Sequence, residues 1–180
     1  LMFARRARLQ GRLDVHGLED VERAARAGAG IILLTPHTCA FEWAGQCVAM
    51  LHPVVSMARL HEDNPALDWM VNRMRLRFGG VVYGHQQSMV PLIKAVRGGH
   101  WMFYLPDEDR GSEGAVFVPF FGEPKLTIPS LGRLAVACRA RVFPLQVRYS
   151  PETGRTASSP ASLRNNACTT PSSRARWAGQ

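Results

Sequence analysis

Residues 31–51 read IILLTPHTCAFEWAGQCVAML and set a buried strand directly against a helix. IILLT is a short, continuous apolar run, the pattern of a strand covered on both faces in a parallel sheet. AFEWAGQCVAML, which follows, reads as a helix. His37 lies in the turn between them, where α/β sheets place their ligands, beyond the carboxyl end of a strand.

Outward from this unit the alternation continues. Upstream, LDVHG alternates like a strand. LEDVERAARAG has Leu18, Val21, Ala24 and Ala25 at helical spacing and stops at Gly28. Downstream, VVSMA is a strand. NPALDWMVNRMRLRFGG is a helix with Asn64 as N-cap, Pro65 at its first position, a stripe of Leu67, Met70, Val71 and Met74, and Gly79-Gly80 as its stop. GVVYG (strand), SMVPLIKAVRGG (helix), HWMFYLPDEDRG (strand into an acidic turn), AVFVPFFGEP (extended), IPSLGRLAVACRA (helix) and RVFPLQVRYS (strand) complete the series. The fold class that follows is α/β, a mostly parallel sheet flanked by helices. Residues 1–155 read as one domain. Residues 156–180, rich in Ser, Thr, Pro, Ala and Arg with no apolar period, read as an unstructured tail.

The chain has 180 residues and a formal net charge of +8, with 46% hydrophobic and 20% charged residues, which is a globular composition. Of its 22 basic residues only Lys94 and Lys125 are lysine. Arginine pairs bidentately with phosphate and carboxylate, so the balance suits anionic partners: nucleic acid, phosphorylated substrates or an anionic membrane face. The 4 cysteines form no CxxC pair and no His stands at a matching spacing, so no metal site is expected and a reducing compartment is. No run approaches the roughly 18 apolar residues of a membrane-spanning helix, and LMFARRARLQGRL is not a signal peptide.

The sharpest local signal is His37 with Glu42 behind it. The two cannot share one face of a continuous helix, because five steps of about 100° separate them widely. With His37 in the preceding turn, its ring can fold back toward Glu42. Imidazole is then a general base near neutral pH, and the carboxylate fixes its tautomer. On spacing alone, a capping His and a surface Glu is the better reading. Asp107, Glu108 and Asp109 could bind a divalent cation, but adjacent acids in a turn are more often solvated or paired to arginine, and a salt bridge from Asp107 would orient Arg75. VFVPFFG fits the core better than an acyl channel. His16, His52, His61, His85 and His100 have no partner pattern and read as structural. Cys39 sits near His37 but has no base of its own, so a covalent route through it is not expected.

Four segments in one order, LLTPHTCAFE, NPALDWMVNRMRLR, MVPLIKAVRGGHWMFYLPDEDRG and VFVPFFGEPKLTIPSLGRLA, closely resemble the late lipid A acyltransferase family, the lauroyl and myristoyl transferases of lipopolysaccharide synthesis. The resemblance spans Val15 to Tyr149 and implies a glycerolipid-acyltransferase-like α/β fold. It implies acyl transfer from an acyl-carrier protein thioester to a hydroxyl of a lipid A precursor, with no further cofactor, at the cytoplasmic face of the inner membrane. His37 matches the catalytic histidine, and Glu42 the acid of its His-x4-Asp/Glu motif. Arg75 matches an arginine for the oxyanion or the anionic substrate. Asp107 and Asp109 match the acids of a Pro-Asp-x-Asp turn, and Arg59 a second basic position. Thr38, Ala58 and Glu108 depart from the family's usual residues, and none of these removes a catalytic group.

Two other readings compete. A related glycerolipid acyltransferase would use His-x4-Asp, against which Glu42 and the Pro-Asp-x-Asp block both count. A basic nucleic-acid-binding domain would use the arginines on phosphates, but no nucleic-acid motif is present and aromatics are not interleaved with the basic runs. Nucleic acid is therefore not an expected partner. The resemblance further implies an anchor upstream and a longer region downstream. The chain alone is accordingly expected to be an incomplete enzyme, poorly soluble and inactive, with a tail after Arg155 unlike the family's continuation.

Overall fold

The computed structural model describes residues 5–58, 63–84, 88–107, 114–150, 152 and 155–160, with only the backbone of Leu13 and of 155–160. Its centre is a run of five parallel strands in the order β8 (Ala140–Ser150), β2 (Gly30–Leu34), β5 (Trp101–Tyr104), β3 (Val54–Ala58) and β4 (Val81–Gly84). Helices α2 (Leu18–Arg26), α3 (Phe41–Leu51), α4 (Pro65–Arg75), α5 (Val90–Arg97) and α6 (Ser130–Cys138) alternate with these strands along the chain. The expected α/β class with a mostly parallel sheet is therefore the observed one. An N-terminal helix, α1 (Arg6–Gln10), was not legible from the sequence; it buries Leu9 against Cys47 and Met50 of α3.

The two cores follow from strand alternation, since successive side chains point to opposite faces. Ile31, Leu33, Trp101 and Phe103 pack with Val21 and Ala24 of α2 and Ala44 and Val48 of α3 on one face. Ile32, Val55 and Met102 pack with Leu92 and Val96 of α5 and Leu134 and Cys138 of α6 on the other. Burial also pushes the Cys47 thiol up to about 12 and the Cys138 thiol upward, so both behave as small apolar side chains.

β8 pairs with β2 as far as Pro144, which cannot donate to a ladder, and from Leu145 onward pairs antiparallel with β9 (Arg155–Pro160). β9 in turn pairs parallel with β1 (Leu13–Val15), completing a seven-stranded sheet. The unstructured reading from Thr156 thus fails for residues 156–160. Their side chains carry no periodic signal, but ladder formation uses backbone groups that every non-proline residue has. Residues 161–180 lie outside the described residues.

AVFVPFFGEP, read as extended, instead turns back on itself: it holds β6 (Val116–Phe120), the turn and the start of β7 (Glu123–Thr127) of a separate antiparallel hairpin. It is not core: Phe117, Phe120 and Phe121 are all exposed.

Candidate active site

The site is built by strand register. β2 and β5 are adjacent and parallel, with Leu34 opposite Tyr104. Each strand is continued by a residue and a proline, Thr35-Pro36 in one case and Leu105-Pro106 in the other. A residue before proline is held extended, so both chains run on in the strand direction. The Thr35 N–H donates to the Tyr104 carbonyl at 3.1 Å, keeping the two in step. The next residues, His37 and Asp107, therefore arrive side by side.

One Asp107 carboxylate holds His37 twice. Its Oδ2 accepts the His37 backbone N–H at 2.7 Å, and its Oδ1 lies 2.7 Å from the ring Nδ1. Burial acts to raise the Asp107 pKa, but the hydrogen bonds from the His37 backbone and ring outweigh it and hold the carboxyl below its ordinary value. An ionised carboxylate can only accept, so Nδ1 carries a proton, and a neutral ring then has its lone pair on Nε2. Phe41 meets the ring edge-on, with centroids 5.1 Å apart.

Glu42 does not join this pair. It lies in the first turn of α3 and reaches the Arg75 guanidinium in the last turn of α4, accepting from Nε at 3.0 Å and also from Nη2. The expected His37–Glu42 contact is thus replaced by His37–Asp107, and the expected Asp107–Arg75 bridge by Glu42–Arg75. The physical reason is geometric. Asp107 reaches His37 from the neighbouring strand, whereas Glu42 has already turned away with the helix. Gln46, one turn after Glu42, donates to the Met74 carbonyl at 2.5 Å, so α3 grips the end of α4 at two points.

His37, Glu42 and Arg75 line one cavity of about 620 Å³, within the range of small-ligand sites. Its walls are largely apolar and include Val54, Met57, Val82, Ile93, Phe103 and Leu134. Polar residues on these walls that were not singled out from sequence include Tyr104, Ser130 and Arg133. Tyr104 and Ser130 share a hydroxyl–hydroxyl hydrogen bond, and Arg133 stands on α6. Tyr104, the last residue of the strand leading to Asp107, was the one available signal among them. Arg59 and Asp109 lie outside the described residues, although Ala58, adjacent to Arg59, lines the cavity.

Comparison with known proteins agrees with this architecture. The family described as bacterial lipid A biosynthesis acyltransferase matches residues 1–169, so the likeness extends at both ends beyond the Val15 to Tyr149 span of the four segments. The chain is 42% identical over 151 residues to a lipid A biosynthesis acyltransferase of Haemophilus influenzae, a match covering 82% of this chain and 46% of the relative. It is 38% identical over 148 residues to the lipid A biosynthesis myristoyltransferase of Escherichia coli, covering 82% and 46%. It is 29% identical over 140 residues to the lipid A biosynthesis lauroyltransferase of the same organism, covering 77% and 45%. The chain spans about half the length of the curated relatives it matches. With a family match that runs through both strand ends of the site, this chain belongs to the bacterial lipid A biosynthesis acyltransferases.

Proposed function

We propose that the protein transfers a fatty acyl chain from an acyl-carrier protein thioester to a hydroxyl of a lipid A precursor, at the cytoplasmic face of the inner membrane. The observation that carries this reading is His37, held by Asp107, on the same largely apolar cavity as Arg75. His37 Nε2 takes the proton of the acceptor hydroxyl as its oxygen attacks the thioester carbonyl. The negative charge that develops on that carbonyl oxygen is met by the Arg75 guanidinium, which Glu42 holds in place. The tetrahedral centre then collapses, the C–S bond breaks, and the imidazolium returns its proton to the thiolate. An ester and a free carrier thiol result. The apolar walls hold the acyl chain, each buried methylene contributing about 0.8 kcal/mol.

The test uses the chain itself and a chimera in which it replaces the matched stretch of the Escherichia coli myristoyltransferase. Each is given acyl-carrier-protein thioester and a lipid A precursor in mixed micelles. For the chimera, mass spectrometry should show one added acyl ester per carrier thiol released, lost in His37→Ala. Free fatty acid without ester, or unchanged transfer by the His37→Ala chimera, would overturn the reading.

A further inference from the structure

The β6–β7 hairpin has features that the fold itself does not explain. Phe121 and Gly122 form its two-residue turn, between the paired residues Phe120 and Glu123, and both have positive φ, 52° and 88°. Such a turn favours Asn, Asp or Gly first, because a Cβ is disfavoured there. Here the position holds a phenylalanine that is 95% exposed and meets the ring of its exposed neighbour Phe120 edge-on. The strained conformation therefore presents an aromatic ring to solvent.

The register sorts the rest of the hairpin into two faces. Cross-strand partners share a face, and alternate partners share the same one. Phe117 with Leu126, and Pro119 with Pro124, make one face with no charged or hydrogen-bonding side chain, and Phe117 is 72% exposed. The opposite face carries Lys125 and Glu123 together with Val116, Val118, Phe120 and Thr127. An uncharged apolar face ending in an aromatic tip has the amphipathic form of an element that lies in a lipid interface. The cavity is close along the chain: Ile128 and Ser130, just beyond β7, line it. Arg133, on the helix that follows, lines it too and is exposed, as is Lys125.

We propose that the hairpin is a membrane-inserting wedge, with Phe121 and the Phe117 face seated among the lipids of an anionic bilayer beside the cavity. The occupant follows from charge and chemistry. The inserted face has no side chain needing hydration, while the formal +8 of the chain, with Lys125 in the hairpin and Arg133 on the helix that follows it, draws it to an anionic surface. From the proposed function it takes only that the acceptor is a bilayer lipid, which the wedge would bring level with the cavity.

The test is flotation of the full chain with vesicles of phosphatidylethanolamine and phosphatidylglycerol, alongside thermal unfolding. Phe121→Asn suits the turn, so its Tm should equal or exceed that of the parent while its vesicle affinity falls about tenfold or more, the scale for losing one buried aromatic. Phe117→Ser should weaken binding similarly, and Phe121→Trp should retain it. Parent-like flotation of Phe121→Asn would overturn the proposal. So would loss of self-association, or of carrier-protein binding, in that variant with vesicle binding intact, because the occupant would then be a protein. Flotation involves no acyl transfer. Wedge binding in a chain whose chimera transfers nothing would remove the enzymatic reading alone, and transfer without flotation would remove the wedge alone.

Discussion

Asp107 contributes two bonds to His37 from a residue 70 positions away, whereas Glu42, close in sequence, serves Arg75 instead. Which acid orients the base therefore has different consequences for each variant. Asp107→Asn leaves one acceptor oxygen for two donors and sets an NH2 where the other stood, so the Nδ1–H tautomer is no longer fixed and the transfer rate should fall by about 10⁴, as when the orienting acid of a Ser-His-Asp triad is replaced by its amide. Glu42→Gln keeps the His37 tautomer and loosens only Arg75, so its loss should be smaller. Steady-state rates that rank the two in the opposite order would return the orienting role to Glu42. The carboxyl of Asp107 is held below its ordinary value in the folded chain, which ties it to stability as well. The sign follows from the lowered folded pKa: the stabilisation is fully present above the unfolded value of about 3.9 and is lost as pH falls through the folded one. Urea midpoints of the parent and Asp107→Asn should stay a constant distance apart from neutral pH to about 5, then converge in more acidic solution. A gap that widens with acid would contradict the pairing. At this scale the sequence showed His37 and Glu42 but not their partners. Spacing along one segment is silent about a residue that arrives from a neighbouring strand. The repeated form Thr35-Pro36-His37 and Leu105-Pro106-Asp107 after two apolar strands was the signal that could have paired them.

Helix α4 shows which elements could be read in advance and what holds them. Asn64 caps it, its side chain accepting from the Leu67 N–H at 3.0 Å, and Pro65 opens it, as the sequence indicated. Its expected apolar stripe is only half-covered, with Met70 exposed, so packing contributes less to this helix than to α3. Its two ends matter correspondingly more. Asn64→Ala should cost about 1 kcal/mol in urea unfolding. At the other end, Gly80 lies so close that a Cβ there would come within 2.5 Å of the Arg75 carbonyl oxygen. Gly80→Ala should push the last turn of α4 away and take the Arg75 guanidinium with it. Transfer should fall sharply while the far-ultraviolet circular dichroism is retained, and parent-like activity would show that the turn yields without moving Arg75. The hairpin was the element least legible in advance. VFVPFFG has the composition of a buried strand, and composition does not distinguish a ring that faces the core from one that faces lipid or solvent. Only the positive φ of Phe121 and the register across β6 and β7 make that distinction.

At the scale of the whole molecule, the two ends of the described chain meet in the sheet, β1 lying beside β9 and β9 beside β8. Among the described residues β1 pairs with no other strand, so β9 is what joins it to the central parallel strands. This closure could not be read from local patterns. β1 is only 3 residues long, and the segment RTASSP has neither strand propensity throughout nor an apolar face to announce it. The parallel centre was legible because β2 and β5 are continuous apolar runs, buried on both sides, with helical patterns alternating between the strands. A chain ending at residue 154 tests whether the closure matters, and residues 1–160 are the control. Removing β9 strips one edge from the second half of β8 and all of the described ladder from β1. At about 1 kcal/mol for each net hydrogen bond, the loss amounts to several kcal/mol against the marginal stability of a single domain. The shortened chain should unfold at lower urea, and limited proteolysis should cut it first around residues 11–17, ahead of α2. The control should resist cleavage there. Equal urea midpoints and equal cleavage patterns would mean that β9 adds nothing to the fold, and that the unstructured reading should begin at Thr156 after all.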